Sequence, residues 1–115
     1  MDELRLKRVE NLLRDGISSM ILSDELKDPR VSTFTSVVDV HLSKDLGYAK
    51  VFVSSYQSEE ILKESVAALN HAAGFIQGRL SRRLRLRVTP KLTFVPDSSI
   101  REGFDLTHKI EELNS

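Results

Sequence analysis

The chain has 115 residues (13.0 kDa), is 40% hydrophobic and 30% charged, and balances 17 basic against 17 acidic residues for a net charge of zero. That is enough apolar material for one core and too much for a disordered polyelectrolyte, and a domain of this length holds together without a disulfide or a metal. There is no cysteine, which excludes a disulfide-built secreted module, a thiolate zinc site, an iron–sulfur cluster and a cysteine nucleophile.

The charged opening Met-Asp-Glu-Leu-Arg is not followed by an apolar stretch. Runs such as Met20-Ile21-Leu22 are far shorter than the roughly 20 residues of a membrane span. A cytoplasmic chain with one folded domain and no membrane segment is the expectation. From Glu3 to about Ser23, Leu6, Val9, Leu13, Ile17 and Met20 recur at steps of three and four, the stripe of an amphipathic helix. Arg5, Arg8 and Asp15 fall off that stripe. Asp28-Pro29-Arg30 marks a turn, since proline disfavours helix at the residue before it.

From Thr33 to Leu42 the period becomes two, which predicts Phe34, Val38, Val40 and Leu42 on one face and Thr33, Thr35, Asp39 and His41 on the other. Turn formers fill Ser43 to Gly47, and Tyr48 to Ser55 is again β-branched and aromatic, so the pair reads as a hairpin. Ser58 with Glu59 and Glu60 opens a helix, carried by Leu62, Val66, Leu69 and Ala73 and resumed through Ile76, Leu80 and Leu84. Gly74 interrupts it. Glycine inside a helix costs about 1 kcal/mol relative to alanine. Two helices joined at a kink near Ala72-Ala73-Gly74 explain it, as does close packing of Gly74 and Gly78 against a neighbour; the kink is favoured. Pro90 stops the second helix, and Lys91 to Val95 forms a third strand that is free to run parallel to a neighbour. The apolar residues of 98–113 are spaced for a last helix, broken at Gly103. The order α-β-β-α-α-β plus tail predicts an α+β two-layer sandwich.

Charge is unevenly spread. Residues 79–91, RLSRRLRLRVTPK, hold six basic residues and no acid, while the segments on either side are net acidic. A local positive field survives global neutrality when its counter-charges lie about a Debye length away, roughly 8–10 Å. Arg79, Arg82 and Arg83 are spaced to share a helical face, and Arg83 to Val88 alternates arginine with aliphatic, keeping Arg85 and Arg87 on one side even if the helix unravels. Five of the six charges are arginine, whose planar fork matches phosphate oxygens. This segment, with Lys91, is the candidate nucleic-acid site; Arg5, Lys7 and Arg8 are candidates to extend it. An ordinary solvated face would mix both signs. Most aromatics occupy core-like positions, which points to backbone-dominated recognition of folded RNA rather than base stacking.

Catalytic signatures are missing. His41, His71 and His108 show no metal-ligand spacing, and there is no G-x-S-x-G, G-x-G-x-x-G or G-x-x-x-x-G-K-[ST]. Glu59, Glu60 and Glu64 are explained by the helix dipole.

Several ordered strings carry a resemblance. Asp28-Pro29-Arg30-Val31, Leu42-Ser43-Lys44-Asp45-Leu46, Ala72-Ala73-Gly74-Phe75-Ile76, Arg82 to Arg87, Thr89 to Phe94, and Asp97-Ser98-Ser99-Ile100 with Gly103 resemble ribosome-binding factor A along essentially the whole chain. The resemblance implies a type II KH fold in which a helix-kink-helix at Ala72, Ala73 and Gly74 replaces the usual Gly-x-x-Gly loop, absent from this sequence. It implies a KH-like RNA-binding domain over 1–97 and a tail over 98–115. It further implies a non-catalytic factor, without cofactor or metal, that binds the immature small (30S) ribosomal subunit and assists late 16S rRNA maturation, with a role in cold adaptation. A ribosome-maturation GTPase is the implied protein partner, and nothing in the sequence demands more than a monomer. The alternative is a protein-interaction module whose cationic face docks an acidic protein partner.

Overall fold

The computed structural model describes residues 3–32 and 34–97. Thr33 and the proposed tail lie outside the described residues. Helix α1 spans Glu3–Leu22 and buries Leu13, Ile17, Met20 and Ile21, with Leu6 and Val9 packed at the edge of the same core. Strands β1 (Thr35–Leu42) and β2 (Tyr48–Ser55) form the expected antiparallel hairpin. Its loop is held from within: Ser43 Oγ and the Gly47 N–H both donate to Asp45 Oδ1, at 2.7 and 2.9 Å, and the Tyr48 N–H donates to Ser43 Oγ at 3.0 Å.

The face prediction for β1 is correct at one end only. Val40 and Leu42 are buried as expected, but Thr35 is buried while Phe34 and Val38 are exposed. The register shifts between Val37 and Asp39, opposite Val53 and Phe52. Val38 is the extra residue of a β-bulge, so odd positions point inward before it and even positions after it.

Helix α2 (Glu59–His71) starts at Ser58, whose Oγ accepts the Ile61 N–H at 3.2 Å. Ala72, at φ −89° and ψ 4°, joins it to α3 (Ala73–Leu84). The kink therefore exists, and close packing does not explain the glycines: a Cβ added at Gly74 or Gly78 would meet nothing within 4 Å. The close-packed glycine is Gly16 of α1, where a Cβ would stand 2.7 Å from Leu80 Cδ2. Strand β3 (Lys91–Pro96) runs parallel to β2, giving the order β1-β2-β3.

All three helices cover one face of this sheet. Val51, Val53, Leu92 and Phe94 meet Leu69, Ile76 and Leu80 there, with the α1 residues completing the core. The result is the α+β, KH-like two-layer sandwich. Side chains of α2 and α3 also close the outer edge of β3. Asn70 Nδ2 donates to the Phe94 carbonyl at 2.9 Å and its Oδ1 accepts the Phe94 N–H at 2.8 Å, while Gln77 Oε1 accepts the Leu92 N–H at 3.0 Å. An unpaired strand edge invites another strand; this one is occupied on both sides of the helix kink.

Candidate nucleic-acid interface

Helix α3 buries Ile76 and Leu80 against the sheet and leaves Gly74, Phe75, Gly78, Arg79 and Arg82 exposed. The Arg79 guanidinium lies over the Phe75 ring, 5.0 Å from its centroid, a contact that orients the cation without neutralising it. Arg82 Nε donates to the Gly78 carbonyl at 3.3 Å.

Arg83 differs from its neighbours. It forms a bidentate ion pair with Glu25, Nη1 to Oε2 at 2.8 Å and Nη2 to Oε1. The hydrogen bond from Arg83 holds the Glu25 carboxyl below its ordinary range, helped by the charges of Arg83 and Arg79 against partial desolvation. Of the cations in 79–91, Arg83 is tied to the protein itself, fastening α3 to the turn after α1. Among the described residues, Arg79, Arg82, Arg85, Arg87 and Lys91 have no such carboxylate partner.

The helix ends at Leu84, and Arg85 adopts the left-handed conformation at φ 50°. Glycine is the usual residue there; any other L-residue costs roughly 1 kcal/mol. The alternation expected beyond it holds for half-buried Leu86 between exposed Arg85 and Arg87, and fails at Val88, which is 47% exposed. Lys91 is exposed on β3, alternating with buried Leu92, so it projects from the bare face of the sheet, opposite the helices. Lys91 is thus separated from Arg79 and Arg82 by the two layers of the fold.

The first helix contributes on one flank. Leu80 and Leu84 meet Gly16, and Leu86, Arg87 and Val88 share a cleft with Arg5 and Val9, so α3 and the segment after it run back toward the start of α1. Arg5 therefore sits beside Arg87, and exposed Arg8 follows Arg5 at the i, i+3 spacing. Lys7 lies on the other flank, where its charge reaches Asp39 of β1. Partial desolvation raises the Asp39 carboxyl, but the His41 hydrogen bond, the Val40 N–H and the charges of His41 and Lys7 bring it below its ordinary value.

The aromatic expectation is corrected. Phe94 is core, but Phe34, Tyr48, Tyr56 and Phe75 are exposed: the bulge turns Phe34 outward, Tyr48 lies on the bare face of the sheet, Tyr56 follows the end of β2, and Phe75 lies on the solvent side of α3. Sequence reasoning also missed Asn70 and Gln77; the available signal was a seven-residue spacing of amides across the kink, on the side turned to β3. Among the described residues no group of three or more His, Cys, Asp or Glu could hold a metal ion, and no helix is long and apolar enough to cross a membrane.

Comparison with known proteins agrees with this architecture. The family model for ribosome-binding factor A matches residues 5–110. The chain is 46% identical to ribosome-binding factor A of Treponema denticola over 113 residues, covering 98% of this chain and 86% of the relative. It is 42% identical to that of Caldanaerobacter subterraneus, covering 97% and 91%. It is similar to the crystal structure of ribosome-binding factor A from Thermus thermophilus, with TM-score 0.67 and 32% identity over 79% of this chain and 94% of that one. A homology model of the Thermus thermophilus protein, fitted into a cryo-electron-microscopy map of its complex with the 30S subunit, matches with TM-score 0.62 and 32% identity over 76% and 89%. With the helix-kink-helix, the mixed sheet and this similarity along nearly its whole length, the chain belongs to the ribosome-binding factor A family.

Proposed function

We propose that this chain is a non-catalytic, cytoplasmic assembly factor that binds the immature small (30S) ribosomal subunit and assists late 16S rRNA maturation. The observation that carries this reading is the seam between α1 and α3. Arg79, Arg82, Arg85 and Arg87 from one side, with Arg5 and Arg8 from the other, expose guanidiniums that form no ion pair with a carboxylate of the described residues. Guanidiniums in such a row neutralise successive phosphates of a folded RNA. The kink at Ala72, Ala73 and Gly74 sets the angle at which α3 presents them, and α3 begins with no side-chain cap and no acid in its first turn, which suits a phosphate near its first amides.

A factor of this kind needs no chemistry of its own. By binding one conformation of an rRNA junction more tightly than another, it shifts the folding equilibrium by the difference in affinity. The Thermus thermophilus relative fitted in a 30S complex supports the choice of target. A ribosome-maturation GTPase is the protein partner this reading includes. Low temperature traps misfolded RNA, which is where such a bias matters most. The experiment is co-sedimentation with immature 30S particles across a salt series. Six phosphate contacts at about 0.7 each predict a log–log slope near −4. A flat slope contradicts the electrostatic anchor and favours docking on an acidic protein, as does association that survives nuclease treatment.

A further inference from the structure

Beside the arginine seam lies a cleft of about 240 Å³, formed where the start of α1, the hairpin loop and the segment after α3 converge. Its walls are aliphatic: Val9 from α1, Leu46 from the loop, and Leu86 and Val88 from the segment after α3. Its floor is Pro90 and Leu42, both buried. Two guanidiniums, Arg5 and Arg87, stand among these apolar side chains, and neither is paired with a carboxylate among the described residues.

Two features show that the protein maintains this shape at a cost. Leu46 is left-handed at φ 64° although glycine follows it at position 47, and the opposite wall springs from Arg85, also left-handed at φ 50°. Each departure costs roughly 1 kcal/mol for a residue other than glycine, and such backbone strain concentrates at ligand clamps. The loop is locked in place: Asp45 accepts from Ser43 Oγ and the Gly47 N–H, and the Gly47 carbonyl accepts the Lys91 N–H at 2.9 Å. The two walls are therefore tied through β3, and the cleft is not a gap between independently moving loops.

We infer that this cleft receives one unstacked nucleobase of the bound RNA, its flanking phosphates resting on Arg5 and Arg87. This deepens the anchoring role proposed above and rests on it. A base has two apolar faces and charged neighbours along the strand, and the cleft offers the complement: aliphatic walls with a cation on each side, continuous with the arginine row. A wholly apolar ligand would leave both guanidiniums unpaired, and phosphates alone would leave Val88 in water. Aliphatic walls give little base-edge discrimination, so the cleft takes a base for its shape more than its identity.

The test uses the full chain and two short oligoadenylates, one with 2-aminopurine at its centre and one with an abasic ribose there. Because no aromatic side chain lines the cleft, a base drawn from its stack into aliphatic surroundings brightens, so 2-aminopurine fluorescence rises on binding. The abasic RNA binds about tenfold more weakly with an unchanged salt slope, the loss expected when the apolar faces of one base are no longer buried. Val88→Asn, at an exposed position, removes most of the fluorescence rise and of the difference between the two RNAs while leaving thermal unfolding in place. Equal affinity of the two RNAs, with a normal salt slope, overturns the cleft assignment and leaves the anchor standing. Salt-independent or undetectable binding of both overturns the anchor and the inference together. A capped acidic, leucine-containing peptide that shifts the Leu46 and Val88 methyl resonances, where oligoadenylate does not, identifies the cleft as a peptide site and contradicts the inference.

Discussion

Asn70 holds both backbone polar groups of Phe94, its amide standing where the next strand of the sheet would be. Truncation to alanine orphans the pair. We expect Asn70→Ala to cost about 1–2 kcal/mol in urea unfolding, the usual effect of losing hydrogen bonds that leave backbone groups unpaired. It also opens the β3 edge, so concentration-dependent association by light scattering should appear in this variant and grow in the double change with Gln77→Ala. A monomeric variant of unchanged stability would remove the edge-closing role.

Glycine substitutions separate packing from propensity. Gly16→Ala places a methyl group 2.7 Å from Leu80 Cδ2, so the buried Leu80 side chain must shift within the core. Overpacking of this kind costs about 1–3 kcal/mol, which outweighs the gain in helix propensity, so the melting temperature falls. Gly78→Ala meets only open space and gains up to about 1 kcal/mol. Thermal unfolding of the two variants should move in opposite directions.

Arg85 trades stability for charge. Arg85→Gly relieves the left-handed strain and should raise stability by roughly 1 kcal/mol, less any gain in backbone freedom of the unfolded chain. The same change removes one phosphate contact, so the salt slope should shrink by about 0.7. A variant that is more stable and binds 30S particles unaltered would show that Arg85 is not part of the anchor.

Acid stability follows from the carboxylates. Hydrogen bonds from Arg83 to Glu25, from Arg30 to Asp28 and from Ser43 to Asp45 hold all three carboxyls below their ordinary values. Groups depressed in the folded state contribute stability above their unfolded pKa, about 4, and lose it as pH falls through the folded values. Urea midpoints should be flat from neutral pH to about 5 and fall below about 4. Solvent reaches all three groups, so high salt should flatten the fall. A midpoint that rises on acidification contradicts these pairings.

Much of this was legible beforehand because it depends on local rules. The α1 stripe, the Ser58 cap, the hairpin over Ser43 to Gly47 and the stop before Pro90 each depend on a few neighbouring residues. The kink was legible from Gly74 and its alanines. What escaped depends on contacts between distant segments. No pattern in residues 34–42 marks Val38 as a bulge, so the faces of Phe34 and Thr35 were exchanged. The Arg83–Glu25 pair joins residues 58 apart in sequence, and the sequence offers no reason to single Arg83 out from Arg82. The placement of Lys91 on the bare sheet face follows from β-strand alternation with Leu92, a change of layer that the spacing of the charges does not show.

The central claim is that exposed guanidiniums along the α1–α3 seam anchor the chain to rRNA. The most direct test is co-sedimentation with immature 30S particles of a variant carrying Arg79→Glu, Arg82→Glu and Arg87→Glu, with the Arg83–Glu25 pair intact and circular dichroism confirming the fold. The anchor predicts that association is lost at moderate salt, while Lys7→Glu on the opposite flank of α1 has a far smaller effect. A folded triple variant that sediments with the particles as the unaltered chain does would contradict it.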